Sequence, residues 1–74
     1  MQVIFLVWID DRLVETSTYT LGVGVNLNAT AKKILEEIRE DVPDEELHCA
    51  FYLVVGRRLA FAGEERLEGE DCED

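Results

Sequence analysis

Val3-Ile4-Phe5-Leu6-Val7-Trp8-Ile9 is an unbroken run of seven apolar residues, most of them β-branched or aromatic. A membrane-crossing helix needs about 20 such residues, so the run is too short to span a bilayer. Read as a strand, it points Val3, Phe5, Val7 and Ile9 to one face and Ile4, Leu6 and Trp8 to the other. Both faces are apolar, and a strand buried on both sides has a direct use for that pattern. The run is therefore expected inside a sheet, with the rest of the chain built around it.

Asp10-Asp11-Arg12 follows as a polar break suited to a hairpin turn, because Asp side chains bond nearby backbone. Residues 13–21 read as a second strand. Its many threonines suit a position near an edge with one face in water. Gly22-Val23-Gly24-Val25-Asn26 is a flexible connection; it lacks the third glycine and the Lys-Ser/Thr of a phosphate loop. Asn28 is the expected N-cap of a helix over residues 29–41. Ala31, Ile34, Leu35, Ile38 and Val42 recur at helical spacing as one stripe, and Pro43 closes the helix.

Beyond the polar Asp44-Glu45-Glu46 loop, residues 47–55 read as a third strand. Leu47, Cys49, Phe51, Leu53 and Val55 make one apolar face, and His48, Ala50, Tyr52 and Val54 a mixed one. Gly56-Arg57-Arg58 is a turn, and residues 59–62 a short fourth strand ending at Gly63. Residues 64–74 hold seven acids and almost nothing apolar, the composition of a disordered tail. The expected organisation is one domain over residues 1–63 with a tail over 64–74, so that cutting after Gly63 would leave the fold intact. The expected fold class is α+β in the order ββαββ. A four-stranded sheet would carry one helix on one face, with the two hairpins side by side.

Two short segments carry a resemblance. Met1-Gln2-Val3-Ile4-Phe5 is similar to the start of ubiquitin. Leu59-Ala60-Phe61-Ala62-Gly63 resembles its Leu-Ile-Phe-Ala-Gly segment, and Leu67-Glu68-Gly69-Glu70-Asp71 the stretch that follows. With the element order and the central first strand, this resembles the ubiquitin-like, β-grasp fold; immunoglobulin-binding modules of bacterial surface proteins share the order. The resemblance implies an interaction module working through its sheet face. It brings no conjugation chemistry, because the sequence does not close on Gly-Gly. Ala60 stands where the family presents an isoleucine to partners.

The chain has 74 residues, with 17 acids against 7 bases and a net charge of −10. A domain of this size is marginally stable. The charge excludes an ordinary nucleic-acid binder, whose first need is a basic surface, and disfavours anionic membranes. Cys49 and Cys72 do not make a disulfide framework, and no signal peptide precedes the apolar run, so a cytoplasmic protein with free thiols is expected. Chemistry is sparse. The single imidazole, His48, has no obvious nucleophile or acid to serve it. No set of soft ligands suggests zinc, and Glu70-Asp71-Cys72-Glu73-Asp74 lacks the spacing of a calcium loop. Neither an enzyme nor a cofactor is expected.

The acid falls in two blocks. Residues 36–46 hold seven acids and only Arg39, and residues 64–74 seven acids and only Arg66. Glu36, Glu37, Glu40 and Asp41 lie toward the helix C-terminus, against the macrodipole, while Lys32 and Lys33 lie toward its start. Local rules broken in this way are enriched at functional surfaces. Glu36, Glu37, Glu40, Asp41, Asp44, Glu45 and Glu46 are the candidate partner-binding residues. The expected partner is a basic protein surface, such as one that holds nucleic acid. In size and charge the chain is similar to phage-encoded inhibitors that imitate the phosphate backbone, anti-restriction and anti-CRISPR proteins among them. A single helix covers only one face of the sheet, so a homodimer through the open face is expected as well.

Overall fold

The computed structural model describes residues 1–69. Its elements are β1 (Gln2–Ile9), β2 (Arg12–Thr20), α1 (Leu27–Arg39), β3 (Leu47–Val55) and β4 (Arg58–Leu67). The four strands form one antiparallel sheet in the order β2-β1-β3-β4. The apolar run is thus a central strand, and the two hairpins lie side by side. β2 and β3 both run antiparallel to β1, so they are parallel to each other with β1 between them. α1 makes the connection.

Val3, Phe5 and Val7 are no more than 1 % exposed and pack with Leu47, Cys49 and Phe51 of β3 and with Ala31 and Leu35 of α1. Ile34, Ile38 and Val42 complete the helical stripe against this core. The Phe5 ring lies 5.6 Å from that of Phe51 and receives Tyr19 edge-on at 5.4 Å. Helix-side burial therefore falls on β1 and β3, with Tyr19 roofing the part of Phe5 that faces β2.

The β1–β2 turn has two residues, Asp10 and Asp11, with φ of 51° and 67°. Positive φ at both positions is the primed hairpin geometry that matches the twist of the strands. Asp is among the few side chains that accept it.

Several element boundaries differ from the sequence reading. β2 spans Arg12–Thr20, shifted by one residue. α1 spans Leu27–Arg39, not 29–41, and its N-cap is Asn26, whose Oδ1 accepts the Ala29 N–H at 3.1 Å. Both asparagines suit the cap locally; packing of Leu27 on the core selects the earlier one. Asn28, inside the first turn, instead donates through Nδ2 to Glu65 Oε2 at 2.8 Å. With this start, Lys32 and Lys33 sit in mid-helix, and only the acidic end still opposes the dipole.

The largest difference lies in β4. β4 does not stop before Gly63 but runs through it to Leu67. Gly63 has φ of +150° and lies opposite Phe51, at a register shift between Phe51 and Tyr52. A Cβ there would come within 2.7 Å of the Phe51 ring. This glycine marks a bulge under an aromatic ring, not a strand end. Beyond it, Glu64, Glu65, Arg66 and Leu67 pair with Ala50, Cys49, His48 and Leu47, and Leu67 packs on the core. Residues 64–67 are therefore sheet, correcting their expected place in a tail. Residues 70–74, with Cys72 and the weak calcium candidate, lie outside the described residues.

Candidate functional site

The bulge sets which β4 side chains share a face. Gly63, Glu65 and Leu67 stand opposite Phe51, Cys49 and Leu47, on the helix side. Leu59 and Phe61 stand opposite Val54 and Tyr52, and Glu64 and Arg66 opposite Ala50 and His48, on the other side. A second register shift, between Val7 and Trp8, puts Leu13 opposite Trp8 on that side too. The face away from α1 thus carries Ile4, Leu6 and Trp8 at its centre, Tyr52 and Val54 beside them, and Leu13, Leu59 and Phe61 toward the edges. Leu13 is 51 %, Leu59 57 % and Phe61 60 % exposed. Phe61 meets Tyr52 edge-on at 5.5 Å. α1 is the only helix among the described residues and lies over β3 and β4 on the opposite face.

Along one side this face is polar, with exposed Thr16, Thr18 and Thr20 of β2 opposite Leu6, Ile4 and Gln2. The His48 ring stacks on Trp8 at 5.0 Å, and His48 Nε2 pairs with Glu64 Oε1. Cys49, the next residue, points to the opposite face, where it is fully buried. Burial, with the Glu15 and Glu65 carboxylates nearby, pushes its thiol from 9.0 up to about 11. Nucleophile and imidazole are thus on opposite sides of the sheet. Among the described residues no three His, Cys, Asp or Glu side chains are grouped to hold a metal ion, and no helix is long and apolar enough to cross a membrane.

The acidic candidates occupy the end of α1 and the loop before β3. Glu36 and Glu37 lie in the last helical turn, Glu40 is the C-cap, and Asp41, Asp44, Glu45 and Glu46 follow. All are exposed except Glu45, which is half-buried. The fold adds two acids that the sequence reading left out. The Asp10 N–H donates to the Glu46 carbonyl at 2.9 Å, and Asp10 Oδ1 accepts the Glu46 N–H at 3.0 Å. These bonds pin the β1–β2 turn to the α1–β3 loop, so Asp10 and Asp11 join Asp44, Glu45 and Glu46. The register that pairs Ile9 with Leu47 brings them together, and no spacing along the chain encodes it.

Crowding is visible in the acids' own equilibria. A hydrogen bond shared with Glu45, and a second from the Glu46 N–H, hold the Asp10 carboxyl below the usual carboxylate range. The same shared bond and the Asp10 charge push Glu45 above it. Glu45 is thus the member that first takes a proton as pH falls. Three arginines partly offset this charge, and Arg12 is near enough to act on both Asp10 and Glu45. Arg66 Nη1 lies 3.6 Å from Glu46 Oε2. Arg39 folds back, donating from Nη1 to the Pro43 carbonyl at 2.9 Å, with Nε and Nη2 shut from solvent. The one base within the block therefore does not present its whole guanidinium outward.

No family model, curated protein or solved structure matches this chain, and its function has to be read from these two surfaces.

Proposed function

We propose that the protein is a non-enzymatic binding protein whose anionic end engages a basic protein surface, of the kind that otherwise holds nucleic acid. The observation that carries this reading is the pair of hydrogen bonds between Asp10 and Glu46, one between backbones and one from the Glu46 N–H to the Asp10 carboxylate. They hold two sequence-distant groups of carboxylates, Asp10-Asp11 and Asp44-Glu45-Glu46, against each other at the cost of mutual repulsion. Glu40 and Asp41 precede this group, with Glu36 and Glu37 one turn back. A fixed row of negative charge is what phosphate mimicry by an inhibitor of the anti-restriction or anti-CRISPR type requires.

The test is capture of a partner from the native host, followed by challenge. Binding should weaken steeply as salt rises, as it does for phosphate contacts, and duplex DNA should compete. Replacing Glu40, Asp41, Asp44 and Glu46 by the corresponding amides should abolish capture. Retention that ignores both salt and these substitutions would defeat the proposal.

A second reading has its own support in the exposed Leu13, Leu59 and Phe61. It is a β-grasp-like adaptor that binds a protein partner through the open sheet face. In that case the amide substitutions would leave binding intact, and substitution of Phe61 would remove it.

A further inference from the structure

We propose that the open sheet face is a homodimer interface, in which two copies stack sheet on sheet about a two-fold axis. A sheet with two apolar faces needs a layer on each. α1 supplies one layer, and the described chain contains no second.

Charge selects this face for contact between two copies. The chain carries −10 overall, so most approaches of one copy to another are repulsive. On the open face the strands place only Glu64 and Arg66 as fully charged groups, one of each sign. Arg66 also reaches Glu46, and Glu64 reaches His48. Self-association through this face is therefore the arrangement that stacks apolar surface with the fewest like charges in contact. Salt screens what repulsion remains, over about 10 Å at ordinary ionic strength.

Area points the same way. Four strands spaced about 4.8 Å apart and about 27 Å long present roughly 500 Å² per copy. Two such faces bury about 1,000 Å², the lower bound for a specific interface. Stacked sheets sit about 10 Å apart with side chains interdigitated. Half-buried Ile4, Leu6, Trp8 and Tyr52 would form the centre, with Leu59 and Phe61 toward one edge. An isologous contact of this kind closes on itself, so the same face is not left to recruit a third copy.

The experiment is sedimentation equilibrium of the full chain at tens of micromolar, with the fluorescence of its single tryptophan followed on dilution. The expected mass is twice the 8.4 kDa of one chain. Trp8 emission should shift to the red as the dimer dissociates. Affinity should rise with salt as repulsion is screened, the reverse of the trend expected for a basic partner. Phe61→Glu should weaken the dimer by about 30-fold or more, because the two-fold axis enters the substitution twice and each copy brings an unpaired carboxylate into the contact. Its circular dichroism should remain that of the folded protein, because Phe61 is already largely exposed. Val23→Glu, at a loop residue 97 % exposed and off this face, should leave the dimer unchanged. A monomer mass throughout this concentration range, in low and in high salt, would overturn the proposal and leave the face to a different partner. So would a dimer that survives Phe61→Glu, or one that weakens as salt rises.

Discussion

β1 offers almost the same chemistry to both sides of the sheet, yet its two sides meet different fates. Val3, Phe5 and Val7 are sealed in the core on the helix side, while Ile4, Leu6 and Trp8 remain half-buried on the open side. Hydrophobicity is equal, so it does not decide burial. The deciding element is a 13-residue amphipathic helix that can lie on only one face. The comparison teaches that an apolar residue specifies a need for cover, and the tertiary arrangement specifies who supplies it. Stability should therefore reside on the helix side and association on the other, and that separation can be attacked directly.

The heaviest blow to the helix side is truncation after Gly63. It removes the ladder of residues 64–67, the Leu67 packing and the Asn28–Glu65 bond. Burying one leucine contributes about 1.5–3 kcal/mol, and each ladder bond adds about 0.5–1.5. A loss of this size should unfold so small a domain, whereas ending the chain after Gly69 should leave its melting temperature unchanged. Thermal unfolding of the two truncations checks this. If both melt alike, β4 ends functionally at Gly63.

Leu35→Ala comes next. Leu35 is fully buried at the helix–sheet contact, and the substitution should cost about 3 kcal/mol in urea unfolding. Ile38→Ala, at a half-buried position of the same stripe, should cost less. Gly63→Ala should destabilise by about 1–3 kcal/mol, since the added methyl must displace the Phe51 ring and the backbone has a positive φ. Gly22→Ala, where the same methyl meets open space, is its control.

Cys49 gives the helix side a pH signature. A thiol raised from 9.0 to about 11 on folding favours the native state in full below pH 9. That contribution fades as pH rises from 9 through about 11, and amounts to on the order of 2 kcal/mol at full titration. Cys49→Ala should flatten this part of the stability profile even as it lowers stability overall. The smallest effect belongs to the open face. In dilute protein, Phe61→Glu should change stability by less than about 1 kcal/mol, chiefly the lost edge-on contact with Tyr52. A large loss would mean that the open face holds the monomer together, and the contrast between the two sides would fail.

The helix stripe, the third strand and the central place of β1 were legible in the sequence, because each depends on side-chain periodicity within one segment. The run Val3–Ile9 is apolar on both faces wherever it lies, and Ala31, Ile34, Leu35 and Ile38 form one stripe on any helix that contains them. The seven acids of residues 36–46 were equally plain. Tertiary structure alone decided the rest. Gly63 reads as a terminator from its neighbours, and only the Phe51 ring across the ladder makes it a bulge inside a longer strand. Asn26 and Asn28 are equal as caps until Leu27 finds the core. Asp10 and Asp11 are a plain turn until the pairing of Ile9 with Leu47 sets them against Glu45 and Glu46. In each case the deciding contact joins residues far apart in the chain or outside the local segment, and local propensity holds no record of such contacts.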